Sequence, residues 1–129
     1  TLDNTKLLAY IHTNKTARMF AAAASMGAIT SRAGKNQVEA MYNFGLKTGL
    51  AFQIADDILD VSATSEQLGK TAGKDAQQGK LTYPAMFGLD KSRKQAKKLL
   101  GEALKILDGF DSPADFLRQL AAVLLERTK

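Results

Sequence analysis

Apolar residues recur along this chain at helical spacing almost from end to end, and no segment alternates as a strand would. From about Asp3 to Ile29 the chain is rich in Leu, Ala and Met and free of proline, which predicts one long helix capped by Asn4 or Thr5. Its run Ala21-Ala22-Ala23-Ala24-Ser25-Met26-Gly27 is a small-residue surface that a neighbouring helix can approach closely within a core. Thr30 to Asn36 form a polar break containing Gly34. A second long helix is predicted from about Gln37 to Val61. Ser62 to Leu81 form a polar connection, in which Thr64 and Gln67 can make a capping box. A short helix follows from about Thr82 to Phe87, with Pro84 in its tolerated first turn. Asp90 is expected to cap a helix running to about Leu107 and ended by Gly109. Ser112 then caps a last helix, with Pro113 at its first position and Asp115 near the positive end of its dipole. The expected fold class is all-α, and the 129 residues read as one helical unit without internal repeats.

The second helix carries the most informative pattern. On a helical wheel Gly45, Gly49, Phe52, Gln53, Asp56 and Asp60 fall on one stripe, with Asp57 at its border. The other sides carry Leu46, Leu50, Ala51, Ile54, Ala55, Ile58, Leu59 and Val61. A helix apolar on most sides is buried, so the stripe is expected to face an internal cavity. Burying charge is costly without a partner, and neighbouring carboxylates repel, so the three acids imply a cation. Carboxylate oxygens suit Mg²⁺, with Mn²⁺ as an alternative. Asp56 and Asp60 lie one turn apart and can ligate one ion, or two ions bridged by phosphate. Asp57 can hold a metal-bound water, and Gln53 can bond a ligand or orient a carboxylate. Each glycine costs up to about 1 kcal/mol relative to alanine inside a helix, so Gly45 and Gly49 suggest that something else needs their space.

Cationic positions change the picture. The polar connection holds Lys70, Lys74 and Lys80, each directly after a glycine, as a lid over a diphosphate would. Taken alone, such a loop reads more readily as a solvated one than as an anion site. Lys15-Thr16 in the first helix can reach a diphosphate or lie exposed. His12, one turn earlier, reads as a structural hydrogen-bonder. The run Lys91-Ser92-Arg93-Lys94-Gln95-Ala96-Lys97-Lys98 lacks interleaved aromatics and reads as a solvated face, so no nucleic-acid partner is expected. The net charge of +5 favours acidic ligands. With no cysteine, thiol nucleophiles, disulfides and zinc–thiolate sites are excluded. No apolar stretch is long enough for a transmembrane segment, and a cytoplasmic protein is expected. An organellar one stays open, because the chain starts at Thr1 and reads as part of a longer protein.

Together, Lys15-Thr16, Gly49-x-x-Phe52-Gln53-x-x-Asp56-Asp57-x-x-Asp60, Gly69-Lys70-x-x-Gly73-Lys74-Asp75 and Gly79-Lys80-x-Thr82-Tyr83-Pro84 resemble the trans-prenyl diphosphate synthases, closest to the short-chain farnesyl and geranylgeranyl type. The resemblance implies an all-α, usually homodimeric, magnesium-dependent enzyme that condenses isopentenyl diphosphate with an allylic diphosphate. It implies metal binding by Asp56, Asp57 and Asp60. Lys15, Lys70 and Lys80 would hold the allylic diphosphate, with Thr16 and Gln53 positioning it and the developing cation. Of these, Lys15, Thr16, Gln53 and Asp56 would be catalytic. Members carry two aspartate-rich motifs on facing helices, and Asp-Asp occurs once here. The chain therefore resembles the C-terminal half of a synthase and is expected to be inactive alone. A non-catalytic synthase-like subunit that works by binding a partner is the alternative.

Overall fold

The computed structural model describes residues 3–63, 81–111 and 114–128. Every regular element among them is helical: α1 (Asn4–His12), a π-helical turn (Thr13–Ala17), α2 (Arg18–Thr30), α3 (Lys35–Ala63), α4 (Tyr83–Phe87), α5 (Leu89–Leu107) and α6 (Asp115–Glu126). The all-α expectation holds. Lys70, Lys74, Lys80, the Thr64–Gln67 capping box, Ser112 and Pro113 lie outside the described residues.

Several boundaries differ for identifiable reasons. Asp3, not Asn4 or Thr5, caps α1, because its Oδ1 accepts the Thr5 backbone N–H at 3.1 Å. The first long helix is interrupted by a π turn that carries Lys15 and Thr16. One extra residue in a turn leaves composition untouched, so the apolar pattern cannot announce it. The helix α2 ends in a Schellman arrangement, with Ala33 N–H on the Ala28 carbonyl and Arg32 N–H on that of Ile29. Arg32 takes the left-handed position at φ +60°, where glycine is usual. Gly88, at φ +85°, stands at the start of α5, and Asp90 falls inside the first turn, 3.8 Å from Arg93.

The central element is α3, which packs against α2, the π turn, α4, α5 and α6. Ala51, Ile54 and Ile58 form one core with Ala96, Leu99 and Leu100 of α5 and Ala121 and Leu124 of α6. Phe44 forms a second with Ala103, Leu107 and Ala114. Full burial of each large side chain contributes about 1.5–3 kcal/mol. The helix α5 shows why its sequence reads so clearly. Ser92, Ala96, Leu99, Leu100, Ala103 and Leu107 are buried on one face, and Lys91, Lys94, Lys97 and Lys98 stand on the other. Lys47 of α3 pairs with Glu102 of α5 at 2.6 Å, and this contact holds the Glu102 carboxyl below its usual range. Arg118 of α6 closes the end of α5 by donating to the carbonyls of Leu107 at 2.7 Å and Phe110 at 2.6 Å.

Gly45 and Gly49 answer the question of what fills their space. A Cβ on Gly45 would lie 2.5 Å from the Phe20 carbonyl oxygen, and one on Gly49 would lie 2.6 Å from the Ala17 Cα. The space belongs to the backbones of α2 and the π turn, not to a ligand. The small-residue run is correspondingly less buried than expected. Ala21 meets Gly45 and is fully buried, while Ala22, Ala23 and Gly27 are exposed. Tyr10, Met19, Met26 and Ile29 also stand exposed along α1 and α2.

Candidate functional site

The acidic stripe divides as soon as it leaves the glycines. Residues 56 and 57 are adjacent, so their side chains diverge by about 100° around the helix. Asp57 points inward, its side chain 12% exposed. Its Oδ2 accepts from His12 Nε2 at 3.2 Å and from the Tyr83 backbone N–H at 3.0 Å. Its Oδ1 accepts from Gln53 Nε2 at 3.4 Å. Gln53 Oε1 in turn accepts the Thr16 hydroxyl at 2.9 Å. The result is a chain of polar contacts, Thr16 to Gln53 to Asp57, with His12 and Tyr83 closing on the carboxylate. It joins the π turn, α3, the end of α1 and the start of α4.

His12 is buried and stacks on the Tyr83 ring, with centroids 6.2 Å apart and planes inclined by 18°. Tyr83 packs on Phe87 at 4.6 Å, and burial pushes its phenol above the usual range. An ionised carboxylate only accepts, so His12 donates through Nε2. The structural role expected for His12 matches this arrangement.

Asp56 faces the other way. Its side chain is 41% exposed, and Oδ1 accepts from Arg127 Nη2 at 2.8 Å. The Arg127 guanidinium also lies over the Phe52 ring, 5.1 Å from its centroid, and Phe52 packs on Phe20. Asp60 follows one turn later, half-buried. The stripe is therefore not uniformly buried: Asp56 stands on a partly exposed rim beside Arg127. Lys15 is exposed in the π turn, beside Thr16. Arg127 had no sequence signal pointing to it, since a lone arginine near the end of an amphipathic helix is ordinary.

Among the described residues no three His, Cys, Asp or Glu side chains converge as a metal cage. Asp57, with both oxygens engaged internally, is turned away from Asp56. The remaining donors are hard oxygens, and Asp56 Oδ1 already attracts a cation. One or two carboxylates completed by water and phosphate oxygens is the manner in which Mg²⁺ is commonly held, so the donor set fits that ion.

Comparison with known proteins places this arrangement in a family. The polyprenyl synthetase family model matches residues 2–122, and the chain belongs to that family. It is 49% identical over 104 residues to a geranylfarnesyl diphosphate synthase, chloroplastic, of Leucosceptrum canum, covering 81% of this chain and 29% of that protein. It is 46% identical over 110 residues to geranylgeranyl pyrophosphate synthase 6, mitochondrial, of Arabidopsis thaliana, covering 85% of this chain and 33% of that protein. The chain thus spans about a third or less of these relatives. Among solved structures, a geranyltransferase from Helicobacter pylori superposes with a TM-score of 0.69 at 29% identity, over 99% of this chain and 40% of that one. No described helix is long and apolar enough to cross a membrane.

Proposed function

We propose that the chain supplies the C-terminal part of a short-chain trans-prenyl diphosphate synthase, working as a homodimer. The complete enzyme would condense isopentenyl diphosphate with an allylic diphosphate to form a farnesyl- or geranylgeranyl-type product. The observation that carries this reading is the link from Thr16 through Gln53 to Asp57, which sets Lys15 and Thr16 beside the helix that bears Asp56 and Asp60.

In this reading Asp56 and Asp60 would hold Mg²⁺, or Mn²⁺, which would supply positive charge to offset that of the departing diphosphate. Lys15 adds a mobile positive charge on the diphosphate, with Lys70 and Lys80 as further cations from the connecting segment. The Thr16 hydroxyl and the Gln53 amide are fixed dipoles, oriented before substrate arrives, that can face the developing allylic cation. Asp57 positions Gln53 and would contribute to the metal site through a metal-bound water. Arg127 holds Asp56 until a ligand competes for it. The relatives named as chloroplastic and mitochondrial keep an organellar setting alongside the cytoplasmic one.

The test is binding of inorganic pyrophosphate to the chain by titration calorimetry, with and without Mg²⁺. Binding should need the metal and weaken at least about tenfold in Asp56→Ala, the usual scale for losing a contact to a charged group. Equal affinity in the variant would sink the assignment. The chain alone should show no condensation; diphosphate release at the rate of a complete synthase would overturn its reading as a part.

A second reading, a synthase-like subunit that acts by binding a partner, draws on the exposed Tyr10, Met19, Met26, Ile29 and Phe116. Absence of any metal-dependent pyrophosphate binding would favour it.

A further inference from the structure

The helix α5 carries Lys91, Arg93, Lys94, Lys97, Lys98 and Lys105 against only two acids, Asp90 and Glu102. Both acids are already engaged, Asp90 3.8 Å from Arg93 and Glu102 bonded to Lys47. All five lysines are exposed, and none is ion-paired with a carboxylate among the described residues. Like charges three or four residues apart destabilise a helix, and Lys91, Lys94, Lys97 and Lys98 repeat that arrangement. An anion from outside the chain would relieve the repulsion.

The lysines are also aligned. At about 100° per residue, Lys91, Lys94, Lys98 and Lys105 fall within about 60° of one another, nearly opposite the buried Ser92, Ala96, Leu99 and Ala103. At about 1.5 Å per residue the row is about 21 Å long. Asp90 and Asp108, exposed at its two ends, fall to one side of it. The row is thus an outward ridge, the part of the helix that a flat surface meets first.

We propose that this ridge rests on an anionic membrane surface without inserting into it. No large apolar side chain is exposed on α5, so nothing there would enter the hydrocarbon. Protein interfaces are depleted in lysine and anchored by aromatic residues and arginine, and this ridge has neither anchor. Single-stranded nucleic acid needs stacking platforms, which it also lacks. A line of mobile point charges matches a bilayer face of many anionic headgroups, where position matters less than charge.

The test is sedimentation of the 129-residue chain with lipid vesicles, in EDTA so that the Mg²⁺-dependent acidic rim takes no part. Vesicles of phosphatidylcholine and phosphatidylserine in equal parts should bind the chain at about 0.01 M salt. They should release it at about 0.1 M, as the Debye length shrinks from about 30 Å to about 10 Å. Vesicles of phosphatidylcholine alone should not bind it. Each lysine near such a surface strengthens binding about fivefold, so Lys94→Gln with Lys98→Gln should weaken it about 25-fold. Lys6→Gln with Lys35→Gln removes the same net charge outside α5 and should weaken it far less. All four positions are exposed, so circular dichroism should report intact folding. Equal weakening by the two pairs would reduce the effect to net charge and overturn the proposal. Equal binding to phosphatidylcholine alone, or tighter binding of polyuridylic acid at the same salt, would overturn it as well. Pyrophosphate binding at the acidic rim does not enter, so either proposal can fail alone.

Discussion

The two halves of α3 meet the first helical segment in opposite ways. Around Gly45 and Gly49 the helices touch backbone to backbone, with no room for a single added carbon. One to three turns later, from Gln53 to Asp60, contact passes through polar side chains, and Asp56 opens to solvent. The first half sets the distance between helices; the second uses that distance to hold Thr16 against Gln53. The close approach is therefore a condition for the polar network, and damage to the glycines should propagate to it.

The largest effect should come from breaking the glycine half. Gly49→Ala places a methyl group against the Ala17 backbone, and a backbone cannot rotate away. A loss of about 3 kcal/mol in urea unfolding is expected, at the upper end of overpacking costs. A change below about 1 kcal/mol would show that the helices separate cheaply. The inward carboxylate comes next. Asp57→Ala strips the partner from buried His12 and from the Tyr83 N–H, and should cost about 2 kcal/mol. An unchanged midpoint would mean that water replaces the carboxylate at no cost. Asp56→Ala sharpens the contrast. Its ion pair with Arg127 is partly exposed, so stability should change by no more than about 1 kcal/mol, although metal-dependent pyrophosphate binding falls. A larger stability loss than in Asp57→Ala would invert the comparison.

The smallest effect concerns pH. The Glu102 carboxyl is held below its ordinary value by its hydrogen bond from Lys47. The folded state thus binds this proton less readily than the unfolded one. Its contribution is present above the ordinary glutamate pKa and is lost as pH falls through the lowered value. Glu102→Gln should flatten the acid side of the stability profile slightly, read as urea midpoints from about pH 7 down to about pH 3, across the range of carboxylate titration. An identical profile in the variant would show that the pair contributes nothing.

Much of the helical layout was legible in the sequence because it depends on spacing. The amphipathic α5, the short helix with Pro84 in its first turn, and the place of Gln53, Asp56 and Asp60 along one helix all follow from neighbours within about two turns. Other features were not legible. The π turn at Thr13–Ala17 leaves the apolar pattern intact, and the reason for two glycines in α3 lies on another helix. The small-residue run reads as a surface for close helix approach within a core, but only Ala21 in it is fully buried.

The sequence by itself determined which residues share a helix and at what interval, because those are short-range consequences of backbone geometry. It could not decide what each carboxylate would face. Asp57 finds His12, 45 residues away, and Asp56 finds Arg127, 71 residues away. Adjacent acids of the same chemistry thus became one buried strut and one open rim. Only packing made that choice, since a charge takes its role from the groups and the water that surround it.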